Sequence, residues 1–308
     1  MAARILRRRT NRGERGLSRM QRRRPRLGVR HMTYPYGIHT DMSNEDYHAI
    51  KEVNGIPVIS STIVKDVCME DLFYAFNKPE IKNQAILDVG TALHALFLEG
   101  HMPILGGKTR ATKEYKEATE EAQRTNRIAL PTADYNRVMG MHQAMLNNNA
   151  MAEFKKCKHV VEQSLFVRMQ VNEKDKHQTP RLVCKLIQKA RPDMYIKRDA
   201  ICIDVKTGPK PEPHQMNKHI ERMKWHVQAA FYKNVMETLG MPVKRFLFFC
   251  VEREYPHRTQ IIELPESLME HGFQLACEAI NKIANAYKTG VIETGWPDIH
   301  TAEFGWLE

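Results

Sequence analysis

Apolar residues first fall at helical spacing in ISSTIVKDVCMEDLFYAF, where Ile63, Val67, Leu72 and Phe76 line one side. Ser60 or Ser61 supplies the cap of that helix, and Ser43 ahead of Asn44-Glu45-Asp46 predicts another helix start before it. ILDVGTALHALFLEG predicts a further amphipathic helix, with Gly90, His94 and Leu98 four apart along one stripe. From about residue 108 to 156 the pattern is charged and helical, and Pro131 divides it into two helices.

The texture then changes. VVEQSLFVRMQV is rich in β-formers, NEKDKHQTP reads as a turn, and RLVCKLIQKARPDMYI returns as a strand. KRDA is a tight turn, and AICIDVKTG is a third strand stopped by Gly208 and Pro209. Short turns between successive strands imply an antiparallel meander. MKWHVQAAFYKNVMETLG is a helix ending at Gly240, and RFLFFCVERE is a strand apolar enough to be buried on both faces. ESLMEHGFQLACEAINKIANAYKTG closes the chain as an amphipathic helix. The expected order is therefore helices, three strands, a helix, a strand and a helix. No internal repeat and no glycine-rich phosphate loop interrupts it.

Charge matters only once it is located. The chain of 308 residues has 47 Lys+Arg against 36 Asp+Glu, a net charge of +11. Residues 1–31 hold twelve Arg, no Lys and the single acid Glu14, so they carry the whole excess and the other 277 residues balance at 35 bases and 35 acids. Without apolar periodicity and with strong self-repulsion, segment 1–31 is expected to be a disordered tail ahead of a single domain over residues 32–308. It is a DNA-tethering arm, a solvated extension without a role, or a false start upstream of Met32. No run of eighteen apolar residues exists, so no membrane span is expected, and the basic start lacks the apolar stretch of a secretory signal. The six Cys contain no CxxC pair, which argues against a zinc ribbon and a disulfide framework and fits a reducing cytoplasm.

The chemistry concentrates at Arg191-Pro192-Asp193, followed ten residues later by Asp204-Val205-Lys206. On a strand Asp204 and Lys206 point one way and Val205 the other, into the core. Asp193 begins the partner strand across a short hairpin, so the carboxylates can converge. Two carboxylates, the Val205 backbone carbonyl and waters suit Mg²⁺, and the lysine can orient or deprotonate an attacking water. The alternative is a surface hairpin with exposed ion pairs, which are common and contribute little. Against that stands the apolar strand around Asp204, where charge needs a reason.

These residues resemble the P-D…(D/E)-x-K signature of the restriction-endonuclease-like nucleases, the PD-(D/E)XK superfamily. Further features are similar to its branch of RecB-type nucleases, lambda exonuclease and RecE exonuclease. Gly90-Thr91-Ala92-Leu93-His94 resembles that branch's helix with an upstream histidine, and Val161-Glu162-Gln163-Ser164 its strand bearing an acidic residue. Gln228 and Tyr232 resemble its Q-x3-Y helix, and Lys189-Ala190-Arg191 stands where basic residues precede P-D. Gly37-Ile38…Tyr47-His48-Ala49 and Ile59-Ser60-Ser61-Thr62 resemble the N-terminal part of RecE-like, phage-associated members. The likeness covers about residues 37 to 300.

The resemblance implies an α/β fold with a restriction-endonuclease-like core, a mixed β-sheet flanked by helices. It implies a Mg²⁺-dependent deoxyribonuclease, with Mn²⁺ able to substitute, most like a RecE-type 5′→3′ exonuclease on double-stranded DNA ends. Asp193, Asp204, Lys206, Gln228 and Tyr232 are the catalytic candidates. His94, Asp193, Asp204, the Val205 carbonyl and Glu162 are the metal candidates. His94 has the alternative of a satisfied core histidine, Tyr232 of helix packing, and Glu162 of a solvated strand residue. An annealing protein, a ring-like homo-oligomer and a bacterial or phage-encoded cytoplasmic setting follow from the same likeness. Cys250 and Cys277, 27 apart, do not group as an iron–sulfur cluster requires, so no cluster is expected. A different nuclease of the superfamily, CRISPR-associated or repair-linked, with endonuclease or single-strand activity, and an inactive DNA-binding relative are the competing readings.

Overall fold

The computed structural model describes residues 36–79, 84–174, 177–208, 210–292 and 294; the Arg-rich segment 1–31 and Pro209 lie outside them. Strand β1 (Gly37–His39) leads to helix α1 (Asn44–Ala49), whose cap is the expected one: Ser43 Oγ accepts from the Asp46 N–H at 3.0 Å. The single helix expected over residues 60–76 is instead two helices, preceded by a strand. β-branched Val58 and Ile59 belong to β3 (Ile56–Ser60), which follows β2 (Glu52–Val53). Helix α2 (Ser61–Met69) stops at Glu70, and the Asp71 carboxylate caps α3 (Leu72–Asn77) by accepting from the Tyr74 N–H at 2.7 Å. A side chain that caps so well competes with a continuous helix.

Helix α4 (Gln84–His94) continues into one π-helical turn, Ala95–Glu99, that ends at left-handed Gly100. The region expected to hold two helices holds three: α5 (Lys113–Thr125), α6 (Thr132–Leu146) and α7 (Asn149–Lys156). Pro131 divides the first two as expected, and Asn148 caps the third. A two-residue parallel pair, β4 (Ile104–Leu105) and β5 (Ala129–Leu130), is too short to leave an alternating pattern.

Next come β6 (Val160–Val161), β7 (Ser164–Lys174), β8 (Pro180–Ala190), β9 (Met194–Ile196) and β10 (Ile201–Gly208). The strand expected from Arg181 to Ile196 breaks at residues 191–193, where Pro192 has no N–H to give a ladder. Helices α8 (Pro213–Arg222) and α9 (Trp225–Thr238) connect to β11 (Arg245–Glu252), and β12 (Thr259–Glu263) precedes the closing α10 (Glu266–Thr289). Among the described residues none of these helices is long and apolar enough to cross a membrane.

The break sends β8 and β9 into different five-stranded sheets, ordered β1-β7-β8-β3-β2 and β12-β11-β10-β9-β6. The β7/β8 and β9/β10 pairs are antiparallel, as the short turns require. β10 and β11 run parallel, because the α8–α9 connection is long enough to return the chain to the same end. The fold is thus α/β, with mixed sheet flanked by helices. Phe246 to Val251 of β11 are each at most 3% exposed, so that strand is buried on both faces.

Two cores cover those faces. Cys202, Phe246, Phe248 and Cys250 pack with Val64, Val67, Phe231 and Ile283, while Ile203, Val205, Leu247 and Phe249 pack with Leu93, Phe97, Met141 and Met145. Period-two alternation therefore puts Val205 on the α4 side and Asp204 and Lys206 on the α9 side. Helix α10 lies so close to α9 that a Cβ on Gly272 would stand 2.4 Å from the His226 carbonyl oxygen.

Candidate active site

The break between β8 and β9 builds the site. Asp193 Oδ2 accepts from the Val205 N–H at 2.6 Å, tying the break to β10, and the Glu162 N–H donates to the Asp193 carbonyl at 3.2 Å. Glu162 is not in a strand, as its neighbours lead one to expect. It occupies the bend between β6 and β7 at φ +51°, a left-handed conformation uncommon for a residue with a side chain. The neighbouring alternation cannot announce such a bend.

His94 ends α4 immediately before the π-turn, a local irregularity that tends to accompany functional positions. Its ring nitrogen Nδ1 lies 3.6 Å from Asp193 Oδ2, and the ring hydrogen-bonds the Val205 backbone. One donor atom from each of His94, Glu162 and Asp193 lies within 4.8 Å of the other two. A Cβ on Gly90 would meet Thr207 Oγ1 at 3.7 Å, an ordinary contact, so the approach of α4 to β10 does not demand glycine there.

Asp204 is not a member of that trio. It lies on the α9 side, 2% exposed. Its Oδ2 is 2.6 Å from Lys206 Nζ yet has no hydrogen bond of acceptable angle among the described residues, so a charge faces it without a donor aligned to it. Its Oδ1 accepts from Gln228 Nε2 at 2.8 Å, and Gln228 Oε1 accepts from Lys206 Nζ at 3.0 Å and from Lys65 Nζ at 3.1 Å. Tyr232, one turn beyond Gln228, is 8% exposed and lines the cleft above the trio.

Sequence reasoning missed Lys65, whose only signal is a cation within the apolar run Ile63-Val64-Lys65. The basic residues ahead of Pro192 have structural partners. Lys189 Nζ donates to the Tyr47 and Ile50 carbonyls at the end of α1, at 2.6 and 2.8 Å. Arg191 Nε donates to Glu162 Oε2 at 2.7 Å, and its Nη1 donates to the Ser43 carbonyl. Arg191 thereby holds the Glu162 carboxylate in place.

Electrostatics explain what such a cluster lacks. Burial, then the charge of Asp193, raises the Glu162 carboxyl to about 7 despite Arg191. Burial, then the charge of Asp204, raises Asp193 well above the carboxylate range against Lys206 and the Val205 N–H. Burial lowers the pKa of His94, so the imidazole is neutral at neutral pH and can act as a ligand. The surrounding cleft, about 970 Å³, is lined by five carboxylates and three arginines. Crowded carboxylates, a neutral imidazole and the buried Asp204 oxygen without a hydrogen bond fit a hard divalent cation, which would offset the repulsion they generate.

No curated protein matches this chain. A crystal structure named "Putative exonuclease" from Eubacterium rectale superposes with a TM-score of 0.54 at 12% identity, covering 87% of this chain and 98% of its own. That likeness is one of fold. A phage related exonuclease from Haemophilus somnus has a TM-score of 0.31 at 10% identity, covering 74% of this chain and 94% of its own. The sequence model of one family, a PDDEXK-like domain of unknown function (DUF3799), matches residues 64–295. The chain, with Asp193 at the break between β8 and β9 and with Asp204 and Lys206 on the central strand β10, belongs to that PDDEXK-like family.

Proposed function

We propose that the protein is a divalent-metal-dependent deoxyribonuclease, a RecE-like 5′→3′ exonuclease acting on double-stranded DNA ends in phage-type recombination. The observation that carries the chemistry is the convergence of His94, Glu162 and Asp193 beside the buried Asp204–Lys206 pair. His94, Glu162 and Asp193 would hold Mg²⁺ or Mn²⁺, with Asp204 adjoining. When bound, the cation supplies Lewis-acid stabilisation of the charge that builds on the scissile phosphate. The Lys206 ammonium, fixed between Asp204 and Gln228, faces the same charge and can orient the attacking water. Water oxygen bonds to phosphorus as one P–O ester bond breaks; the water's proton is lost, and the departing oxygen gains one. Gln228 keeps Asp204 and Lys206 in register through both ends of its amide. Tyr232 lines the wall where substrate would lie.

The direction of digestion, the preference for duplex ends, an annealing partner, a ring-like oligomer and DNA tethering by segment 1–31 belong to this proposal through the resemblance described above. The test is incubation with end-labelled linear and closed circular duplex DNA, with Mg²⁺ and with EDTA. Mononucleotide release from 5′ ends of linear DNA alone, abolished by EDTA, is the expected result. Cutting of circles refutes the exonuclease assignment, and absence of any product refutes the enzyme.

A further inference from the structure

We propose that Arg253 is a phosphate-binding residue of the cleft, gripping the phosphodiester backbone of the bound strand beside the point of cleavage; this rests on the nuclease reading above. Three arginines line the cleft, and two are committed. Arg191 holds Glu162, and Arg127 donates to the carbonyls of Met102 and Pro103 at 2.6 and 3.4 Å. Arg253 differs. Its Nε is buried and has no hydrogen-bond partner among the described residues. The carboxylates flanking it are engaged elsewhere, Glu252 with Arg258 and Glu254 with Arg137, each at 3.6 Å. Burying a guanidinium N–H without an acceptor is costly, and the half-buried side chain still forms part of the cleft wall, where an acceptor from outside the chain can reach the guanidinium.

Its backbone is held in place. The Arg253 N–H donates to the Gly208 carbonyl at 3.0 Å, just past the paired ends of β10 and β11, so the side chain leaves the strand end nearest Thr207, which also lines the cleft. The cleft of about 970 Å³ exceeds what a hydrated cation fills, roughly 200 Å³ for six waters. The remaining space has room for neighbouring nucleotides. A planar fork of N–H donors matches a phosphodiester's two unesterified oxygens better than an ammonium does.

The experiment uses the full chain carrying Asp204→Asn, with Mg²⁺ and a short labelled duplex, and compares it with the same chain carrying Arg253→Gln or Arg253→Lys in addition. Cleavage by the Asp204→Asn protein at more than about a hundredth of the native rate sinks the proposed catalytic assignment, and binding is then read in EDTA instead. Removing Arg253 should weaken binding about tenfold and make the slope of log affinity against log salt shallower by about 0.9. Arg253→Lys should restore the slope but not the full affinity, because it keeps the charge and loses the fork. In the otherwise native chain, Arg253→Gln should raise KM while kcat at saturating DNA stays within about twofold. An unchanged slope and affinity for Arg253→Gln overturns the proposal, as does a Lys variant indistinguishable from the Gln variant.

Discussion

Glu162 is the group through which the site can be tested without any DNA. In the metal-free protein its carboxyl is raised from 4.5 to about 7, by burial first and by Asp193 second. The folded state therefore binds the proton more tightly than the unfolded chain does. Stability from this group is complete below about pH 4.5 and is lost as pH rises through about 7. Converted at about 1.4 kcal/mol per tenfold, the loss is about 3 kcal/mol, and the side chain is only 18% exposed, so screening removes little of it. A divalent cation held by Glu162, Asp193 and His94, as proposed, would bind only the native state and require the ionised carboxyl. At one hundred times its Kd it adds about 2.7 kcal/mol, and its apparent affinity falls about tenfold per pH unit below 7. With about 2–4 °C per kcal/mol, the Tm gap between Mg²⁺ and EDTA should grow from almost nothing near pH 5 to about 5–10 °C near pH 8. Thermal melts of the native chain and of Glu162→Gln across that range measure it. The variant should lose most of the gap and melt in EDTA with a flatter pH dependence. A gap equally large at both ends of the range, or one retained by Glu162→Gln, would refute the reasoning.

Other outcomes follow from the same geometry. Asp204→Asn and Lys206→Ala should each reduce cleavage by at least about a hundredfold; Asp204→Ala should also lose about 1–3 kcal/mol, because the partly buried Lys206 ammonium and the Gln228 amide lose their carboxylate partner, and turnover assays with urea melts separate the two effects. His94→Ala should weaken Mn²⁺ binding at least tenfold by titration calorimetry while shifting Tm little; a lower Tm with unchanged affinity would make it a core histidine after all. Gly272→Ala should cost about 1–3 kcal/mol in urea unfolding, since its Cβ would meet the His226 carbonyl at 2.4 Å, and an unchanged midpoint would contradict that packing.

What the sequence revealed and what it hid divide along one physical line. Asp204, Val205 and Lys206 were legible because the pleat of a buried strand fixes which side chains share a face, and that rule needs no tertiary information. Gln228 and Tyr232 were legible for the matching reason on a helix, four residues being one turn. Glu162 was readable as a carboxylate but not as a bend, since its left-handed φ exists only where β6 and β7 part and Arg191 arrives to hold it. The helix break at Asp71 had a local signal, a capping residue inside an apolar run, that periodicity outvoted. Lys65 had only the weak signal of a cation in an apolar run, and Arg253 had none. Their significance lies in what they face, a shared Gln228 oxygen in one case and an unfilled acceptor position in the other. A repeating pattern specifies faces; it does not specify partners across one hundred and sixty-three residues, the separation of Lys65 from Gln228. Such partners are what turn a sheet bearing two carboxylates beside a break into a site, so a residue missed by pattern yet aimed at the cleft is where new chemistry should be sought.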